Sequence, residues 1–135
     1  MVLIDTSVII DSLNGKETDK TLIFDRLLDV GAPFGISIFT LHEILQGAAN
    51  EKEFAALEAY LSTQKIFVLP NVPEVFAESA KLFYNLRRQG VTIRNTIDIL
   101  IAFTAIYFNI PLLHNDRDFT HIAEKTPNLK ILHWE

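Results

Sequence analysis

Val2-Leu3-Ile4-Asp5-Thr6-Ser7, near the start of the chain, is three apolar residues, one acid and two hydroxyl residues. The apolar run reads as a short strand, and Asp5 closes it. A carboxylate at the inner end of an apolar strand is costly to bury unless something pairs with it. A further apolar segment, Val8 to Leu13, follows and stops at the turn signal Asn14-Gly15.

Outward from this stretch, strand and helix signals alternate. Thr18 to Val30 reads as a helix with Phe24, Leu27 and Leu28 on one face and Gly31 just past its end. Phe34 to Ile38 reads as a second strand. Thr40 or Ser37 is placed to cap the helix carrying Leu41 to Ala48, and Asn50 to cap one with Phe54, Leu57 and Leu61 on a stripe. Lys65 to Leu69 is a third strand, closed by Pro70. Pro73 suits a first helical turn, and Phe76, Ala80 and Phe83 mark a helix face running to Gly90. Thr96 is expected to cap an apolar helix, Ile97 to Phe108. Leu112 to His114 is a fourth strand, Asp116 to Glu124 a short helix, and Lys130 to His133 a last strand. Such alternation implies an α/β fold, a parallel sheet covered by helices on both faces. There is no repeat, linker or composition shift, so residues 1–135 are expected to form one domain.

The chain has 135 residues, 49% hydrophobic and 21% charged, and no Cys. Disulfides and thiolate metal sites are therefore excluded, and a reducing cytoplasm is the expected location. No basic stretch precedes the first apolar run, so the start does not read as a secretory signal. The apolar stretches around Ile99–Ala105 and Ile110–Leu113 are too short to span a bilayer. The formal net charge of −5 speaks, as a total, against phosphate binding. A nuclease can still be acidic overall where its acids gather at one metal site, so their placement decides.

Asp5 follows the first strand directly. Asp116 follows the fourth, with His114 closing the strand and only Asn115 between, and Glu43 lies in the first turns of the helix after the second strand. Ligands of an open parallel sheet bind beyond the carboxyl ends of its strands, where these three acids converge. Asp98, in the first turn of the Thr96 helix, joins them only if that helix starts at the same edge. Each acid also has an ordinary reading, because the helix dipole and capping favour carboxylates in first turns. Gathered together, however, they repel one another, and a divalent cation removes that penalty. Hard cations such as Mg²⁺ or Mn²⁺ take oxygen ligands and stabilise charge on a transferring phosphoryl group. Phosphodiester hydrolysis suits such a site, which needs no Ser, Cys or His nucleophile.

Leu3-Ile4-Asp5-Thr6-Ser7, Leu41-His42-Glu43-Ile44, Ile97-Asp98-Ile99-Leu100-Ile101-Ala102 and Asn115-Asp116-Arg117-Asp118-Phe119, in this order, resemble the PIN domain family, and within it the VapC-type toxins of toxin–antitoxin pairs. The resemblance implies a three-layer α/β/α fold with a central parallel sheet, Mg²⁺- or Mn²⁺-dependent endoribonuclease activity, a homodimer and a partner antitoxin that blocks the site. It implies that Asp5, Glu43, Asp98 and Asp116 are the catalytic quartet, with Asp5, Asp98 and Asp116 on the metal. Glu43 would bind a second metal or orient the attacking water, and cleavage would leave a 5′-phosphate and a 3′-hydroxyl. Thr6 and Ser7 match the hydroxyl residues after the first acid, one of which would hold its carboxylate. Thr96 matches a polar residue two positions before the third acid, and Asp118 is a supporting acid. The helices around Phe24 and Phe54 resemble the two-helix clip that holds the antitoxin.

Arg94 and Arg117 flank the expected site and are candidates for RNA phosphate contacts, whereas Arg87 and Arg88 read as solvated surface charge. Helical spacing assigns Phe24, Phe54, Phe76 and Phe83 to core packing rather than base stacking. His42, His114, His121 and His133 are scattered, and no two share the helix face that a paired-histidine metal site needs. Three rival readings fit less well. An aspartyl-phosphate phosphatase of the haloacid dehalogenase type wants a second Asp where this chain has Ser7, and a receiver domain wants an acidic pair at the start. A PIN-like scaffold that has lost activity would not keep all four acids.

Overall fold

The computed structural model describes residues 1–133. Its first strand, β1 (Val2–Ile4), runs straight into helix α1 (Thr6–Leu13), because Asp5 is both the end of the strand and the N-cap of the helix. The Val8–Leu13 segment is thus helical, with Val8 and Ile9 inward and Ile10 and Leu13 toward solvent. Gly15 turns the chain at φ +70°, a conformation glycine adopts without strain. Thr18 and Thr21 exchange hydrogen bonds in a capping box that starts α2 (Asp19–Asp29).

Strand β2 (Phe34–Ser37) ends one residue sooner than its apolar run suggests, since the Ser37 hydroxyl accepts from the Phe39 amide and Ile38 already opens α3 (Ile38–Gln46). Ser37, not Thr40, is therefore the cap. Asn50 caps α4 (Glu51–Leu61) as the sequence indicates. Strand β3 (Lys65–Phe67) stops short of Leu69, and α5 (Pro73–Arg88) begins on Pro73. Helix α6 (Thr96–Tyr107) is capped by Asn95, whose Oδ1 accepts from the Ile97 amide; Thr96 is its first helical residue rather than its cap. After β4 (Leu112–Leu113), Asp116 caps α7 (Arg117–Lys125).

The expected last strand, Lys130–His133, contracts to one parallel bridge between Ile131 and Leu112. Leu112 donates to Lys130 O and accepts from Leu132 N, but the pairing does not continue.

The four strands are parallel in the order β3-β2-β1-β4. The chain builds outward from β1 to β3 and then crosses back to place β4 on the other side of β1. The sequence order thus reverses between β1 and β4, the crevice where open α/β sheets bind ligands. Alternate strand residues feed two cores. Leu3, Phe67 and Leu112 pack with residues of α5, α6 and α7 on one face. Val2, Ile4, Ile36 and Leu113 pack with residues of α1, α2, α3 and α4 on the other. The result is the three-layer α/β/α arrangement with a central parallel sheet. Among the described residues, no helix is long and apolar enough to cross a membrane.

Three helix faces are less buried than their spacing implies. Leu28 is 48% exposed, and Phe54 and Phe76 are 40% and 37% exposed, whereas Phe24 is buried. Helical periodicity marks apolar faces but does not show which of them the fold covers.

Gly35 is the tightest point of the sheet. A Cβ there would stand 2.6 Å from Phe67 Cε2 and 2.8 Å from Lys65 O, and the second contact is backbone. Gly35→Ala is expected to cost about 1–3 kcal/mol by overpacking, read as a lower urea midpoint at unchanged slope. A wild-type midpoint would contradict this packing.

Candidate active site

The turn after β1 and the turn after β4 are tied together. Asp5 N donates to Leu113 O at 2.9 Å, and Asn115 N donates to Ser7 Oγ at 3.0 Å. Ser7 Oγ in turn donates to Asp5 Oδ2 at 2.6 Å, and Ser7 N donates to the same oxygen at 3.0 Å. Ser7 is thus the hydroxyl residue that holds Asp5, while Thr6 serves another acid. The Thr6 hydroxyl donates to Glu43 Oε1 at 2.7 Å and lies 3.0 Å from the Thr40 hydroxyl. Both bonds run from the start of α1 to α3, so the first two helical residues of α1 orient two different carboxylates.

A capping role and a ligand role are compatible because a carboxylate has two oxygens. Asp5 Oδ2 caps α1, while Asp5 Oδ1 is buried and has no hydrogen-bond partner among the described residues. Asp116 Oδ1 caps α7 by accepting from the Asp118 amide at 2.9 Å, which likewise leaves its second oxygen available. Asp98 lies in the first turn of α6, and its own carboxylate does not cap that helix.

Asp5, Glu43, Asp98, Asp116 and Asp118 line one cleft of about 500 Å³, together with Thr6, Ser7 and Arg94. The start of α6 therefore does reach the sheet edge carrying Asp5. Oxygens of Asp98, Asp116 and Asp118 lie within 4.8 Å of one another, a grouping able to hold a cation. Asp118, taken from the sequence as a supporting acid, is only 6% exposed and belongs to this grouping, while Asp5 lies deeper, at 3%. Thr96 does not line the cleft; it faces the hollow between α5 and α6, and Asn95 lines the cleft in its place. One residue along a helix turns a side chain by about 100°. Arg94 lines both the acidic cleft and an adjoining hollow that also contains Arg117.

Lys16, Asp11 and Asn95 line the cleft without having been singled out from the sequence. Lys16 returns to it through the Asn14-Gly15 turn, where its amide donates to Asp11 O at 2.9 Å. The turn dipeptide was the available signal, but the direction of the returning chain was not.

The electrostatics follow from crowding and burial. Burial pushes the Asp5 carboxyl up to about 6, against the pull of the Ser7 hydrogen bonds, with Glu43 adding to the rise. Asp98 is pushed up to about 7, first by burial and then by the charges of Asp5, Asp116, Glu43 and Asp118. Burial holds the His114 imidazole down at about 4, assisted by the charge of Lys20. Asp116 N donates to His114 Nδ1 at 3.2 Å, so the neutral ring carries its hydrogen on Nε2.

The chain is similar to known proteins over nearly its full length. The model of the PIN domain family matches residues 2–125. Ribonuclease VapC19 of Mycobacterium tuberculosis is 31% identical over 129 residues, covering 94% of this chain and 98% of that protein. Ribonuclease VapC11 of the same species is 29% identical over 127 residues, covering 93% and 94%. The crystal structure of VapBC2 from Rickettsia felis, bound to a DNA fragment from its promoter, superposes with a TM-score of 0.74 at 25% identity, covering all of both chains (100% each).

A carboxyl whose pKa lies above its ordinary value only in the folded chain binds extra protons when folded. Its contribution to stability is present at low pH and is lost as pH rises through the raised value. For Asp5 and Asp98 that window runs from the ordinary 3.8 up to about 6 and about 7. In chelator, the thermal midpoint should therefore rise by a few degrees as pH falls from about 8 to about 5. Asp98→Asn should flatten this profile and raise the midpoint at the alkaline end. An unchanged pH profile in that variant would show that Asp98 does not carry the repulsion.

Proposed function

This chain belongs to the PIN domain family, and on that premise we propose that it is a Mg²⁺- or Mn²⁺-dependent endoribonuclease, the toxin of a toxin–antitoxin pair, acting as one PIN-like domain. The observation that carries the reading is the cleft lined by five carboxylates, one of which, Asp5, has a buried oxygen, Oδ1, without a partner among the described residues. The names of VapC19 and VapC11 support the ribonuclease assignment, and VapBC2 supports the toxin–antitoxin one.

The residues present fit a hard divalent cation. The donor set is all oxygen, the acids repel without a counter-charge, and Asp5 Oδ1 lacks any other use. Asp5, Asp98 and Asp116 would hold the ion; Asp98 and Asp116 bring oxygens within 4.8 Å of each other and of Asp118, which would join directly or through water. The cation supplies Lewis acidity and positive charge at the scissile phosphate.

The chain's own side chains supply the rest. Ser7 fixes Asp5 so that Oδ1 remains free to ligate. Glu43, held by the Thr6 hydroxyl, orients the attacking water and accepts its proton. The water oxygen bonds to phosphorus as the bond from phosphorus to the ribose 3′ oxygen breaks, and that oxygen takes a proton from solvent, leaving a 5′-phosphate and a 3′-hydroxyl. Arg94 and Arg117 offset the charge of the flanking RNA.

The antitoxin is assigned to the side formed by the first four helices. Leu22 and Leu28 of α2 and Phe54 and Tyr60 of α4 are exposed there. Homodimerisation is assigned to the α5–α6 side, where Phe76 and Phe83 line an apolar hollow. Both partner assignments extend the likeness to toxin–antitoxin proteins.

Asp5→Asn and Asp98→Asn are each expected to reduce RNA cleavage by at least about a hundredfold, because a cation at the phosphate is worth several kcal/mol. Circular dichroism should stay native. Ser7→Ala, which frees the Asp5 carboxylate to turn, should lower Mn²⁺ affinity about 10–100-fold. Chelator should silence the wild type and added Mn²⁺ restore it. Full cleavage by either Asn variant, or cleavage in chelator, would overturn the assignment.

A further inference from the structure

A second hollow, of about 550 Å³, opens beside the acidic cleft and shares Asn115 and Asp116 with it. Its lining is mixed in charge. Lys20 from the first turn of α2, Arg117 and Thr120 from α7, and His133 near the chain's end line it, as do the acids Asp116 and Glu124. Arg117, Thr120, Glu124 and His133 are all exposed to solvent. The hollow also contains a fixed donor. His114 is 5% exposed, its Nδ1 is occupied by the Asp116 amide, and its ring packs against Phe119 at 5.2 Å between centroids. The hydrogen on Nε2 has no acceptor among the described residues. Asp5 Oδ1 is the one buried side-chain oxygen or nitrogen without a partner among the described residues, so the His114 Nε2–H still reaches solvent and is open to a ligand.

We propose that this hollow binds a phosphodiester of the RNA strand adjacent to the one placed at the acids. The inference rests on the ribonuclease reading and extends it from the scissile phosphate to its neighbour. Two cations, a hydroxyl and a ring N–H, drawn from three separate segments, match an anion with several acceptor oxygens. Asn115 and Asp116 border both pockets, which places the hollow within reach of a strand bound at the acids. The subsite also gives a chain of net charge −5 further cations for RNA beside the acids, in addition to Lys16 and Arg94, which line the acidic cleft itself.

The test compares Asp98→Asn, which holds RNA without turning it over, with the same chain also carrying Lys20→Gln. Gln retains the helix propensity of Lys, so folding is not at issue. Binding of a short labelled single-stranded RNA is measured by anisotropy across a KCl series. Lys20→Gln should weaken binding several-fold at low salt and reduce the slope of log K against log salt by about 0.7, the value of one phosphate contact on a single strand. A single uncharged methylphosphonate, moved along the RNA, should at one position give the same loss, and that loss should not add to the loss from Lys20→Gln. An unchanged slope, or additive losses at every position, would overturn the subsite. The two readings fail separately. If the wild type leaves RNA uncut while the Lys20 dependence is found, the subsite stands and the nuclease reading falls. If RNA is cut but Lys20→Gln binds with the original slope, the subsite falls alone.

Discussion

The geometry of this molecule turns on how the Asp5 carboxylate is divided. One oxygen is bound by the amide and hydroxyl of Ser7, and the other is buried without a partner among the described residues. The bound oxygen starts α1 and, through Ser7 and the Asn115 amide, joins the turn after β1 to the turn after β4. Asp5 lines a cleft into which Glu43, Asp98, Asp116 and Asp118 also converge. Stability and chemistry oppose each other here. The same hydrogen bonds that order the turn hold like charges together, and the raised Asp5 and Asp98 carboxyls record the cost.

Sheet topology explains why the conflict arises at this place. The strand order reverses between β1 and β4, so the carboxyl ends of these neighbours diverge into separate helices and leave a crevice. Asp5 and Asp116 cap the helices on its two sides, and α3 and α6 bring Glu43 and Asp98 to it. Lys16 and Arg94 line the acidic cleft itself, and Arg117 and Lys20 line hollows beside it. These cations give an acidic protein surfaces able to meet phosphate.

Much of this was legible in the sequence. Strand and helix alternation gave the three-layer fold, and the positions of Asp5, Glu43 and Asp116 relative to strand ends placed them at one edge. Other features depended on contacts that no local pattern encodes. Whether Asp98 reached the edge depended on where α6 begins in space. The sequence points to Thr96 as the cap, but Asn95 takes that place, and Thr96 faces away from the cleft. The Lys130–His133 run has strand composition, but only Ile131 bridges to β4. Phe54 and Phe76 follow core spacing and remain exposed, because periodicity does not say whether the chain itself covers the face.

The central claim is that a divalent cation resolves the repulsion among these acids. Its most direct test is the proton release that accompanies Mn²⁺ binding, measured by calorimetry in buffers of different ionisation enthalpy. If Asp98 is held up to about 7 by its neighbours, binding near neutral pH must displace its proton. The account expects Mn²⁺ to bind with proton release at about pH 6.5, and the release to vanish by about pH 8.5, where the acids are already ionised. Binding with no proton release at the lower pH, or no binding at either, would contradict it.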